Sequence, residues 1–125
     1  MAGCGRLFEG TAAQMRASLE KLLDLPGTTR IYCAHEYTLS NLFFARAVEP
    51  DNPDIAARVA ECRQLRADNL PTVPGLLSLE KKTNPFLRWR QAAIITAAEQ
   101  YTGRPARDAD EVFAAIRVWK DNFRA

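Results

Sequence analysis

A chain of 125 residues that is 47% hydrophobic is long enough to bury a core and too short for more than one domain or two small ones, so wholesale disorder is excluded. Its 17 Lys and Arg against 15 Asp and Glu leave a net charge of only +2, which argues against the dense basic face of an electrostatic nucleic-acid binder. It holds a single histidine and no closely spaced cysteine pair, which excludes the usual hydrolytic zinc site with its roughly three protein ligands, mostly His.

Thr11–Leu25 reads as an amphipathic helix. Thr11 and Gln14 make a capping box, and Met15, Leu19, Leu22 and Leu23 form one apolar stripe before Pro26-Gly27 stops it. Thr29–Ala34 is short, β-branched and aromatic, and reads as a strand that presents His35 at its end. Leu39–Val48 reads as a short helix stopping before Pro50. Asn52 caps a further helix with Pro53 at its first position and the stripe Ile55, Val59, Cys62 and Leu65, leaving Arg58, Glu61, Arg63 and Arg66 on the surface. Pro71–Leu87 carries three prolines and a glycine and reads as an ordered loop with at most a turn of strand, of a length that often serves a function. Arg88–Tyr101 is a helix ended by Gly103, and Asp108–Phe123 is the last, with Asp108 and Glu111 as a capping box and Val112, Ile116, Trp119 and Phe123 facing the core. Four to six helices thus accompany one strand, and a single strand is not a sheet. Its partner lies near the N-terminus, or outside this chain.

The cysteines Cys4, Cys33 and Cys62 are odd in number and widely spaced. They read as reduced thiols of a cytosolic protein, each more simply a small buried hydrophobe than a nucleophile. No apolar run approaches the roughly 20 residues of a membrane span, and no signal peptide is visible.

Three constellations can carry chemistry, each with a plainer alternative. Cys33-Ala34-His35-Glu36-Tyr37-Thr38 sets an imidazole at a strand end, either as metal ligand or base or as an ordinary surface group. Gly3-Cys4-Gly5-Arg6-Leu7-Phe8 is a glycine-rich turn whose Arg6 could clamp a carboxylate, or a structural lead into a capped helix. Arg117 and Lys120 are neighbours on one helix face, and either hold an anion between them or complement the helix dipole with Asp121 as partner.

Together, AGCGRLFEGT at 2–11, CAHEYTLSNLFFA at 33–45 leading into VEPDNP at 48–53, KKTNPFLR at 81–88 and RVWKDNF at 117–123 resemble the glyoxalase II family, the hydroxyacylglutathione hydrolases. The resemblance implies an α+β, mostly helical chain. Residues 1–38 would be the C-terminal remnant of a metallo-β-lactamase-like α/β domain, and residues 39–125 a helical glutathione-binding domain. The implied activity is hydrolysis of S-D-lactoylglutathione to D-lactate and glutathione, in methylglyoxal detoxification in the cytoplasm, at a site of two divalent metals: zinc, or iron or manganese.

By the same resemblance His35 matches the last metal ligand and thereby a catalytic position. Tyr37 matches a tyrosine that contacts glutathione, and Arg6 a basic residue that binds a substrate carboxylate. Arg117 and Lys120 match the pair holding the glycine carboxylate of glutathione. Phe8 stands where many members have Tyr, so one substrate hydrogen bond is missing. The T-H-x-H-x-D-H ligand motif and the Gly-Asp-Thr-Leu-Phe segment are absent from the sequence. The expectation is therefore a C-terminal portion, with Met1 an internal residue of the family pattern, that supplies one metal ligand and has little activity alone. Exposed apolar surface on Thr11–Leu25 and Thr29–Ala34, open to self-association or to a separate metal-binding half, is expected with it. The alternatives are a non-catalytic module that binds glutathione without metal, or a helical interaction module. No nucleic-acid or membrane partner is expected.

Overall fold

Local capping sets most of the helices. The Thr11 hydroxyl accepts from the Gln14 amide while the Gln14 side chain accepts from the Thr11 amide, and this box starts α1 (Ala12–Leu23). Asn52 accepts from the amides of Asp54 and Ile55 ahead of Pro53 and starts α3 (Pro53–Ala67). Asp108 accepts from the Glu111 amide and starts α6 (Ala109–Asn122). Only half of the expected second box forms there, because the Glu111 carboxylate accepts from the Arg107 amide and guanidinium instead. The computed structural model describes residues 1–124.

The remaining elements are β1 (Arg30–Ile31), α2 (Thr38–Val48), β2 (Gly75–Leu76), α4 (Leu77–Thr83), a 3₁₀ turn at Pro85–Leu87 and α5 (Ala92–Thr102). The chain is α+β and mostly helical. Its two strands form one antiparallel pair in which Arg30 faces Leu76 and Ile31 faces Gly75.

Three expectations need correction here. The strand expected over Thr29–Ala34 is two residues long, since its partner offers only Gly75 and Leu76, and that partner lies in the proline-rich segment rather than near the N-terminus. The same segment is not a loop: it folds into β2, α4 and the 3₁₀ turn because Leu77, Glu80, Thr83, Phe86 and Leu87 are all buried. The helix expected from Arg88 starts at Ala92, because Arg88 turns back to bond Glu49 and the Lys81 carbonyl. It ends as expected, at Gly103 in the left-handed conformation (φ 74°), where glycine carries no Cβ penalty.

The main core gathers Phe44, Leu77, Phe86, Trp89, Ile94, Val112, Phe113 and Ile116 from α2, α4, α5, α6 and the turn between them. Phe86 and Phe113 meet edge to face at 5.6 Å, and Phe44 meets Trp119 in the same way at 5.5 Å. Met15, Leu19 and Leu23 of α1 and Ile31 of β1 pack on this core only in part, so residues 1–38 and the helices share one interior. A second cluster of Leu42, Ala45, Ile55, Val59 and Cys62 joins α2 to α3. Arg58, expected on the surface, is buried beside it, paired with Glu61 at 2.9 Å and reaching the Thr72 carbonyl at 3.5 Å. Buried Glu49 pairs with half-buried Arg88, bidentate at 3.0 Å on both arms, with Asn52 donating to the same carboxylate.

Candidate functional site

Residues Met1–Gly5 form no helix or strand, yet side chains hold every one of them. The N-terminal ammonium donates to the Thr38 hydroxyl, and Asn41 donates to the Met1 carbonyl. The Ala2 amide donates to Glu80, and Asn84 donates to the Gly3 carbonyl. Arg117 donates to the carbonyls of Cys4, at 2.9 Å, and Gly5, at 3.2 Å. The path is tight. Ala2 has a positive φ of 56°, and a Cβ on Gly3 would stand 2.8 Å from the Asn41 amide nitrogen.

This segment forms one wall of an open cleft of about 600 Å³. Met15 and Leu19 of α1 form a second wall. The turn from β1 into α2 brings Cys33, His35 and Tyr37 to the third, where Asn41 of α2 joins them. His35 and Tyr37 are both exposed, with rings stacked 4.9 Å apart at 23°. The expected apolar exposure is partial: Met15, Leu19, Leu22 and Leu23 of α1 are half-buried, and Tyr32 is 71% exposed at the rim.

Beside the cleft, the same segment carries Arg6 to α6. Arg6, Arg117 and Lys120 gather there around one carboxylate, that of Asp121. The three cations differ in environment. Arg117 is 4% exposed and fully engaged, forking to Asp121 at 2.7 and 3.0 Å, holding the Cys4 and Gly5 carbonyls, and lying over the Phe86 ring. Arg6 is exposed and only 3.9 Å from Asp121. Lys120 is half-buried, its ammonium above the Phe44 ring. Burial first, then repulsion from Arg117 and Arg6, pulls the Lys120 ammonium below its ordinary value. A cluster of three cations with one partner carboxylate favours a bound anion.

His35 and Tyr37 thus share the cleft, and Arg6, Arg117 and Lys120 share the adjoining cationic corner. Phe8 belongs to neither: it is 89% exposed on the turn before α1. The plainer account of Arg117, pairing with Asp121, is realised in full, and the pair also serves to hold residues 4 and 5. Among the described residues no three of His, Cys, Asp or Glu come together, so the side chains present do not fit a catalytic metal centre, and His35 stands without companion ligands.

Several participants were not visible in the sequence. Glu80 and Asn84 lie buried under residues 2 and 3, and Asn41 packs against Gly3. Cys4, packed against Arg117, is pushed up by burial, and the Arg117 charge offsets that only in part. Burial likewise pushes the Glu36 carboxyl up, but hydrogen bonds from the Thr72 hydroxyl and amide, with Arg66 and the N-terminal ammonium, outweigh it and hold the carboxyl low.

A family model described as hydroxyacylglutathione hydrolase C-terminus matches residues 36–123. Hydroxyacylglutathione hydrolases of Nitrosomonas europaea, Pseudomonas fluorescens and Cupriavidus taiwanensis are similar to 98% of this chain, at 57%, 58% and 58% identity. The chain spans about half the length of these relatives, 47%, 48% and 46% in turn. No helix among the described residues is long and apolar enough to cross a membrane.

Proposed function

Because the chain belongs to the hydroxyacylglutathione hydrolase C-terminus family, we propose that it furnishes the glutathione-binding part of a thioester hydrolase acting on S-D-lactoylglutathione. The observation that carries this reading is the cationic corner beside the cleft, with Lys120 and Arg6 only weakly paired. Glutathione brings two carboxylates, and charge-assisted bonds from Lys and Arg suit them. Lys120, half-desolvated over Phe44, gains most from a new counter-charge. Arg6 supplies a second, flexible contact from the rim. Tyr37 offers a phenol and His35 an imidazole to whatever part of the ligand enters the cleft.

In this reading residues 1–38 are the end of a metallo-β-lactamase-like domain and residues 39–125 the glutathione-binding domain. The family match beginning at residue 36 supports that division. The zinc, iron or manganese implied for the family is not held by these side chains alone. The proposed work of the chain is therefore binding and orientation of the glutathione moiety in a cytoplasmic detoxification of methylglyoxal. The test is glutathione release from S-D-lactoylglutathione by the 125-residue chain supplied with zinc. The expected result is no release above the uncatalysed rate. Metal-dependent turnover abolished by His35→Ala would show that the chain builds a reaction centre of its own and overturn the division of labour.

A further inference from the structure

Glu80 is an unusual group for the centre of this fold. It is 1% exposed, and among the described residues no cation pairs with it. One of its oxygens accepts from the Ala2 amide at 2.9 Å and from the Asn84 side chain at 3.1 Å. Asn84, 0% exposed, passes the same Nδ2 group on to the Gly3 carbonyl at 3.1 Å, while its Oδ1 accepts from the Phe86 amide. A buried carboxylate without a counter-cation is costly unless each of its bonds is made. Here one bond runs to the Ala2 backbone and the other reaches the Gly3 carbonyl through Asn84, both in a segment that has no secondary structure of its own. Two residues further on, that segment forms a wall of the cleft, and at residue 6 it delivers Arg6 to Asp121 and Lys120.

We propose that Glu80, acting through Asn84, is a positioning residue: it seats the backbone of Ala2–Gly3 and thereby helps to fix Arg6 beside Asp121. The proposal rests on the glutathione-binding reading only for its functional consequence. The seat has two sides, Glu80 with Asn84 beneath the segment and Asn41 against Gly3. Releasing the Glu80–Asn84 side frees residues 2 and 3 and leaves the Arg117 bonds to the Cys4 and Gly5 carbonyls as the remaining hold on the path to Arg6.

The test compares the 125-residue chain with Glu80→Ala and Glu80→Gln by nuclear magnetic resonance and by glutathione titration. Glutamine keeps one acceptor oxygen for Ala2 and Asn84, and alanine keeps none. In Glu80→Ala the Ala2 amide is expected to lose its protection from exchange, and proton contacts between Arg6 and residues 120–121 to weaken. Glutathione affinity is expected to fall about tenfold. Glu80→Gln is expected to restore all three readouts. Should Glu80→Ala fail to fold, Asn84→Ala removes the bond to the Gly3 carbonyl and is expected to move the same signals. Contacts between Arg6 and α6 that keep their wild-type strength in Glu80→Ala, or in Asn84→Ala where that variant is used instead, overturn the proposal. A wild-type chain that shows those contacts but binds no glutathione overturns the functional reading and leaves the seat decided by the ligand-free signals.

Discussion

Replacing Arg117 by methionine separates two roles for this side chain. Methionine restores much of the buried stem but none of the charge or donors. The Cys4 carbonyl then loses its partner beneath the segment, at about 1–3 kcal/mol for a buried group left unsatisfied. The guanidinium lies 4.8 Å from the Phe86 ring centroid in a desolvated setting, a contact of about 2 kcal/mol. The Asp121 pair adds little, because that carboxylate is 35% exposed and rehydrates, which limits its share to about 1 kcal/mol or less. The Gly5 carbonyl, on an exposed residue, also finds water. The expected loss is about 3 kcal/mol, out of a total of about 6–19 kcal/mol for a chain of this size. Urea unfolding followed by far-ultraviolet dichroism measures it, as a drop in midpoint at unchanged slope. Arg117→Lys, which keeps charge but not the fork, is expected to lose about half as much. A loss below about 1 kcal/mol in Arg117→Met would refute the strut role and leave Arg117 free to serve as a ligand anchor.

The Glu49–Arg88 pair predicts that Glu49→Ala destabilises by about 1.5–3 kcal/mol in the same unfolding experiment, because partly buried Arg88 keeps only the Lys81 carbonyl as a partner. The low Glu36 carboxyl contributes stability that is present above its ordinary value of 4.5 and is lost as pH falls through its folded value. Glu36→Gln should therefore flatten the acid limb of the stability profile below that pH, while leaving its neutral slope unchanged. Alkylation by iodoacetamide at pH 8, read by mass spectrometry, should reach exposed Cys33 well before Cys4 and Cys62, whose thiols burial pushes up.

The helices that were legible in the sequence are those whose start signals are local. Thr11 with Gln14, Asn52 with Pro53, and Asp108 all lie within one turn of what they cap. The segment from Pro71 to Leu87 was misread because α4 has no side-chain cap and rests on tertiary burial of Leu77, Glu80 and Thr83, against the grain of its flanking prolines. Arg58 was misplaced for a related reason, since no local pattern announces that an arginine lies under Thr72. The site divides in the same way. Residue types and motif wording marked His35, Tyr37, Arg6, Arg117 and Lys120. That Arg117 would be buried against carbonyls more than a hundred positions away, and that Glu80 would seat Ala2, are consequences of packing that a linear reading does not contain.

The most direct test of the central claim is calorimetric titration of glutathione into the 125-residue chain in chelator, beside Lys120→Gln and Arg6→Gln. Lys120 and Arg6 sit at the cationic corner without a bidentate partner, so the account predicts metal-independent binding that weakens about tenfold in each variant and falls with added salt. Heats of dilution alone, or equal affinity in all three proteins, would contradict it.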